Sequence, residues 1–143
     1  MGHGALAQDS AARATWTEQY LRDADTAARR GDRVAALQLY QSAIIYSPAE
    51  PEPYNRLAEF YAMADESDMA GKYFGIALDV DPANPLALKG LALLALAAGD
   101  VELARAHHQI LVQACGPACP EAAEIEAALA VGVSASNPGG AAN

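Results

Sequence analysis

The sequence predicts an all-α chain of antiparallel helical hairpins stacked in a row and closed by a further helix. Three observations carry that prediction. Residues of one type recur every 34 positions: Ala36, Ala70 and Ala104; Tyr40, Phe74 and His108; Tyr20, Tyr54 and Leu88; Ala43, Ala77 and Leu111. Within each interval the apolar positions follow helical spacing, so each repeat holds two helices rather than strands. Turn residues punctuate at the same interval, with Gly31-Asp32, Asp65-Glu66 and Gly99-Asp100 between the two helices and Pro48 and Pro82 after them.

Residues 1–9 carry no helical pattern of this kind and are expected to be a leader or an expression scar without fixed structure. Ala5-Leu6-Ala7 before Gln8 has the small-x-small form of a signal-peptidase site, but the preceding apolar stretch is missing. The helical domain is expected over residues 10–130. Its first repeat spans about 17–50, turns at Gly31 and ends at Pro48, which cannot donate a helical hydrogen bond and disfavours helical geometry before it. The second spans about 51–84. Pro51 and Pro85 stand where a helix starts, and there the absent donor costs little. The third repeat, about 85–118, opens with the apolar run "LALKGLALLALAAG", which Lys89 and Gly90 interrupt and which is too short to cross a bilayer. Small residues at Ala36, Ala70 and Ala104 suit the closest crossing of two helices, where a larger side chain would force them apart.

A closing helix is expected over about 120–130, with Ala122, Ile125, Ala128 and Leu129 on one face and Glu121, Glu124 and Glu126 on the other. Cys115 and Cys119, the chain's two cysteines, bracket the turn that leads into it. Zinc would need four ligands, and no second Cys or His pair lies at suitable spacing. A dithiol redox centre usually has two intervening residues and here there are three, although Cys119 sits near a helix start. The preferred reading is a disulfide that holds the turn; in a cytosol the pair would be two reduced, small apolar residues. Residues 131–143, rich in Gly, Ser, Pro and Asn, are expected to be a disordered tail.

"PEPYNRLAEFYAMADESDMAGKYFGIALDVDPAN", Pro51 to Asn84, resembles the tetratricopeptide repeat, with Tyr54, Leu57, Ala58, Tyr61, Ala70, Phe74, Ala77 and Pro82 in the family's signature slots. The flanking repeats depart from the pattern at Asp23, His108 and Gly116. The resemblance implies a right-handed α-solenoid of three helix-turn-helix repeats with a capping helix, and a non-catalytic role in binding a protein or peptide along a concave groove. By the family's register the groove would be lined by Leu21, Arg22, Asp25 and Arg29 in the first repeat, Asn55, Arg56, Glu59 and Met63 in the second, and Leu86, Lys89, Leu93 and Leu96 in the third. Some members clamp the acidic C-termini of heat-shock chaperones with lysines and asparagines. This chain has Leu21, Asp25, Leu86 and Gly90 in the corresponding slots, and acidic residues there would repel such a tail.

Asp and Glu outnumber Lys and Arg 18 to 9, so the chain has no cationic excess for nucleic acid or for insertion at an anionic membrane. No cofactor motif is present: no glycine cluster follows a strand, and His107 and His108 are adjacent, so on a helix they point about 100° apart. His108 at an aromatic slot reads as a packed core histidine. Trp16 and Tyr20 read as an aromatic staple on the first hairpin or as a contact surface. The functional expectation is an adaptor, scaffold or assembly factor in the bacterial envelope, periplasmic or secreted, with the cytoplasm as the alternative location. Self-association into a homo-oligomer, and thiol-disulfide chemistry at Cys115 and Cys119, are the competing expectations.

Overall fold

A computed structural model describes residues 3–136, with side chains described from Gln8 to Gly132. The outermost parts of the expected leader and tail, 1–2 and 137–143, lie outside the described residues. Seven helices follow one another: α1 His3–Arg29, α2 Arg33–Tyr46, α3 Pro51–Met63, α4 Ser67–Val80, α5 Pro85–Ala97, α6 Val101–Cys115 and α7 Pro120–Ser136. No strand occurs among the described residues, and no helix among them is long and apolar enough to cross a membrane. α1 runs through residues 3–9, expected to be an unstructured leader, and α7 runs through 131–136, expected to begin the tail. A helix once nucleated propagates until something stops it, and neither stretch contains a proline.

The helices group into two compact units, one through Val80 and one from Asp81. In the first, α1 packs against α2 and α3 against α4, and the two hairpins join through α3, which meets both α2 and α1. In the second, α5 and α6 form a hairpin and α7 packs against both of them.

All three hairpin turns are built alike. Asp32 N–H bonds Ala27 C=O at 2.9 Å and Gly31 N–H bonds Ala28 C=O at 3.0 Å. Glu66 bonds Tyr61 and Asp65 bonds Ala62 in the same way, as Asp100 does Ala95 and Gly99 does Leu96. This is the Schellman arrangement, which satisfies carbonyls that the helix end would otherwise leave unpaired. It requires a left-handed residue, supplied by Gly31 (φ 77°), Asp65 (φ 59°) and Gly99 (φ 81°). The next residue, Asp32, Glu66 or Asp100, immediately precedes the following helix, and its carbonyl accepts the first helical bond. Asp32 Oδ1 accepts from Ala35 N–H at 3.1 Å and Asp100 Oδ1 from Leu103 N–H at 3.0 Å, each capping its helix.

Close helix crossings follow from the repeated small residues. Ala36, Ala70 and Ala104 are fully enclosed, as are Ala43, Ala77 and Leu111 about two turns further on. Leu57 in α3, Leu88 in α5, Leu111 in α6 and Ile125 in α7 are large apolar side chains with essentially no exposed surface. Each contributes about 1.5–3 kcal/mol relative to an exposed position. His108, expected as a packed core histidine, is only half-buried; it lines a cleft between α6 and α7 with Arg105, Gln109 and Glu126. The aromatic staple on the first hairpin is Tyr20, whose ring lies 5.3 Å from that of Tyr46, while Trp16 is left exposed.

Candidate functional site

The first unit contains a cavity of about 510 Å³ between α1, α2 and α3. Asp25, Ala28 and Arg29 come from α1, Tyr40 from α2, and Arg56, Glu59, Phe60, Met63 and Ala64 from α3 and its cap. Five of the residues expected on a groove, Asp25, Arg29, Arg56, Glu59 and Met63, are therefore brought together here.

At the cavity floor a charged network joins three helices. Asp25 Oδ2 accepts from Arg56 Nη2 at 2.6 Å, and Asp25 Oδ1 accepts from the Tyr40 hydroxyl at 2.7 Å. Charge-assisted bonds of this kind are roughly twice as strong as neutral ones. Burial, then the hydrogen bond to Asp25 and its negative charge, push the Tyr40 hydroxyl well above the ordinary tyrosine range. Arg56 Nε is enclosed with no hydrogen-bond partner among the described residues. Arg29 at the rim is exposed and bonds Thr26 Oγ1 at 3.2 Å, and it forms no ion pair among the described residues. Met63 is 88% exposed. The site thus has a neutralised polar floor, with one cation and one long apolar side chain at its edge.

Two expected groove residues are corrected. Leu21 is 3% exposed and Asn55 is 1% exposed, so both belong to the interior of the first unit. Leu21 shares one inward face of α1 with Thr17 and Ala24, at four- and three-residue spacing. Asn55 is the fifth residue of α3 and follows Pro53 and Tyr54, which are buried as well. Arg22 is exposed outside the cavity, paired with Glu18 on its own helix and bonded to Gln19 Oε1 at 3.0 Å.

The second unit carries the other expected positions on α5. Leu86 and Leu93 are exposed. Lys89 Nζ bonds Glu124 Oε2 of α7 at 3.1 Å, and a Cβ built on Gly132 would lie 3.8 Å from Leu96 Cδ2. α7 therefore runs beside α5 over both residues and covers part of this face. At the start of α7, Cys115 and Cys119 have Cα atoms 5.7 Å apart and their sulfurs are brought together. Among the described residues no cluster of three or more His, Cys, Asp or Glu could hold a metal ion.

No family model and no curated protein matches the chain. Solved structures do. The tetratricopeptide-repeat domain of Sgt2 from Aspergillus fumigatus aligns with a TM-score of 0.72 and 20% identity, covering 89% of this chain and 85% of that one. The first such domain of Spaghetti (RPAP3), solved bound to the HSP90 peptide SRMEEVD, aligns with a TM-score of 0.68 and 17% identity, covering 81% and 97%. The chain has the tetratricopeptide-repeat fold.

Within a tetratricopeptide hairpin the first helix carries the positions read above as groove, and α1 and α3 do so in the first unit. The register missed Tyr40, which comes from a second helix, bonds Asp25 through its hydroxyl and lies ring to ring with Phe60 at 5.6 Å. It also missed Phe60, although its four-residue spacing from Arg56 places the two on one face of α3.

Proposed function

We propose that this chain is a non-catalytic protein-interaction module that holds a segment of a partner polypeptide in the cavity of its first unit. The observation that carries the reading is the convergence of Asp25, Arg29, Arg56, Glu59 and Met63 on one cavity with Phe60 and Tyr40 in its wall. A cavity of this kind, apolar in part with a few fixed polar groups, suits a side chain and its neighbours better than a flat surface would. Its chemistry favours an apolar anchor against Met63 and Phe60 beside an acidic group paired with Arg29. The Glu59 carboxylate in the cavity lining disfavours a run of acidic residues such as the chaperone peptide in the Spaghetti structure, so the partner is a segment of mixed charge.

Selection of binding peptides from a random displayed library tests the reading. Selected peptides should lose at least about tenfold in affinity, roughly 1.4 kcal/mol, on Met63→Asp or Arg29→Glu, with helicity unchanged by circular dichroism. Peptides that bind both variants as well as the unaltered chain would place the contact surface elsewhere, and Leu86→Asp with Leu93→Asp would then locate it on α5.

We also propose that Cys115 and Cys119 form a disulfide closing the α6–α7 turn. The 5.7 Å Cα separation lies in the range such a bond spans. A disulfide suits an oxidising compartment, in keeping with a bacterial envelope location. The loop it closes is short, so its role is local: it fixes the entry into α7 rather than stabilising the whole chain.

A further inference from the structure

The two cysteines are unequal in a way that a passive staple does not require. Cys115 ends α6 and is exposed, whereas Cys119 is 8% exposed and immediately precedes α7. Cys119 occupies the cap position, since its carbonyl accepts from Ala123 N–H at 3.1 Å. Cys115 is therefore the more exposed residue of the two, with its sulfur 3.1 Å from Leu111 C=O, and Cys119 lies at the positive end of a 17-residue helix.

We propose that Cys115–Cys119 is a thiol-disulfide exchange site, attacked at the Cys115 sulfur by an external thiol with Cys119 as the leaving group. The inference rests on the disulfide reading above. An incoming thiolate, from a small thiol such as glutathione or from a cysteine of another polypeptide, forms a bond to Cys115 Sγ as the Sγ–Sγ bond breaks. The electron pair leaves on Cys119 as a thiolate. The product is a mixed disulfide at Cys115 and a free Cys119, and return attack by Cys119 reverses the step. A second external thiolate attacking the external sulfur of the mixed disulfide instead releases Cys115. The external thiols are then oxidised to a disulfide and the pair is left reduced.

Rate in such a step depends on which sulfur is reachable and on how well the other leaves. Exposure directs attack to Cys115. The α7 N-terminus stabilises negative charge developing on Cys119. The Glu121 carboxylate opposes it, because Oε2 lies 3.2 Å from Cys119 Sγ. Glu121 thus slows cleavage, and neutralising it speeds the reaction without altering either cysteine.

The test uses the full chain, oxidised with glutathione disulfide and freed of it. Thiols are first counted in denaturant and the intact mass is measured: no thiols at the mass of a single chain without bound glutathione confirms the intramolecular bond, and two thiols overturn both the disulfide reading and the exchange site. The native protein is then treated with reduced glutathione, quenched in acid and mapped by mass spectrometry. The mixed disulfide is expected at Cys115, and Glu121→Gln should raise the rate of its formation about threefold or more, as a leaving thiol of lower pKa requires. In single-thiol variants, Cys119→Ser should react with glutathione disulfide about tenfold faster than Cys115→Ser, given the difference in access. Serine also caps a helix well, so the Cys119→Ser variant retains the start of α7. No thiols in the count together with no adduct except after unfolding would overturn the exchange site and leave the staple standing. Adduct at Cys119, or equal rates for the two variants, would overturn the proposed direction of attack and the exchange site with it.

Discussion

The three hairpin turns offer a controlled measurement, because Gly31, Asp65 and Gly99 occupy the same backbone position with φ of 77°, 59° and 81°. Nothing lies within 4 Å of a Cβ built at Gly31 or Gly99, so a methyl group there meets no neighbour. Any cost of Gly31→Ala or Gly99→Ala is then backbone strain alone. An L-residue in the left-handed region costs roughly 1–2 kcal/mol, and alanine regains about 0.4–1 kcal/mol by restricting the unfolded chain. The net loss should be centred on about 0.8 kcal/mol for each, the difference between the midpoints of the two ranges. Aspartate tolerates this region better than alanine, so Gly31→Asp should cost less, and Asp65→Gly should lie within about 0.5 kcal/mol of the unaltered chain. Urea unfolding followed by circular dichroism measures both units, and fluorescence of Trp16 on α1 follows the first. A loss of 1 kcal/mol would lower a melting temperature by roughly 3–6 °C in a chain of this size. Gly→Ala variants as stable as the parent, or an Asp65→Gly variant less stable than Gly31→Ala, would refute the assignment of these turns as strain-limited Schellman ends.

Three further perturbations test the packing and the network. Ala70→Leu adds three carbons at a fully enclosed helix crossing in the first unit and should cost about 1–3 kcal/mol, read as a lower urea midpoint with little loss of helix. Ile125→Ala removes the best-buried side chain of α7 and should cost about 2–5 kcal/mol; a smaller change would mean that α7 packs loosely on α5 and α6. Tyr40 links stability to pH. Its folded-state pKa is raised above the ordinary 10.0, so its stabilisation is full below pH 10 and is lost as pH rises above it, when the unfolded chain ionises first. Unfolding midpoints should therefore fall above pH 10, and Tyr40→Phe should start lower at pH 7 but decline less steeply.

Features set by backbone and size were legible in the sequence, whereas features set by contacts between helices were not. The repeat interval located the turns because only a few residue types adopt the left-handed position, and the small-residue positions located the helix crossings because only alanine fits them. Helix faces could be assigned only to within one residue, about 100° of rotation, and that uncertainty turned Leu21 outward in expectation when α1 turns it inward. Asn55 failed for a second reason. A polar side chain reads as solvent-facing, yet Asn55 is enclosed together with Pro53 and Tyr54 near the start of α3. The reach of α1 back to His3 was hidden because the residues before Ser10 lack the apolar period that packing imposes, and a helix need not pack to form.

The polar residues of the cavity fall into two groups by what holds them. Asp25 accepts from both Tyr40 and Arg56, so its charge is spent on partners from the two other helices that line the cavity, and three helices are fixed relative to one another at that point. Removing either donor would leave a partly buried carboxylate with one bond, which costs more than the bond itself contributed. Among the described residues Arg29 bonds Thr26 on its own helix, and Met63 is in solvent. The floor is therefore set before anything binds, while the rim is free to adapt. A partner gains little by reaching Asp25, whose hydrogen bonds it would have to replace, and gains most by covering Met63 and pairing with Arg29. Selectivity at this site should accordingly lie at the rim, and the network beneath it should be read as the device that gives the rim a fixed place to stand.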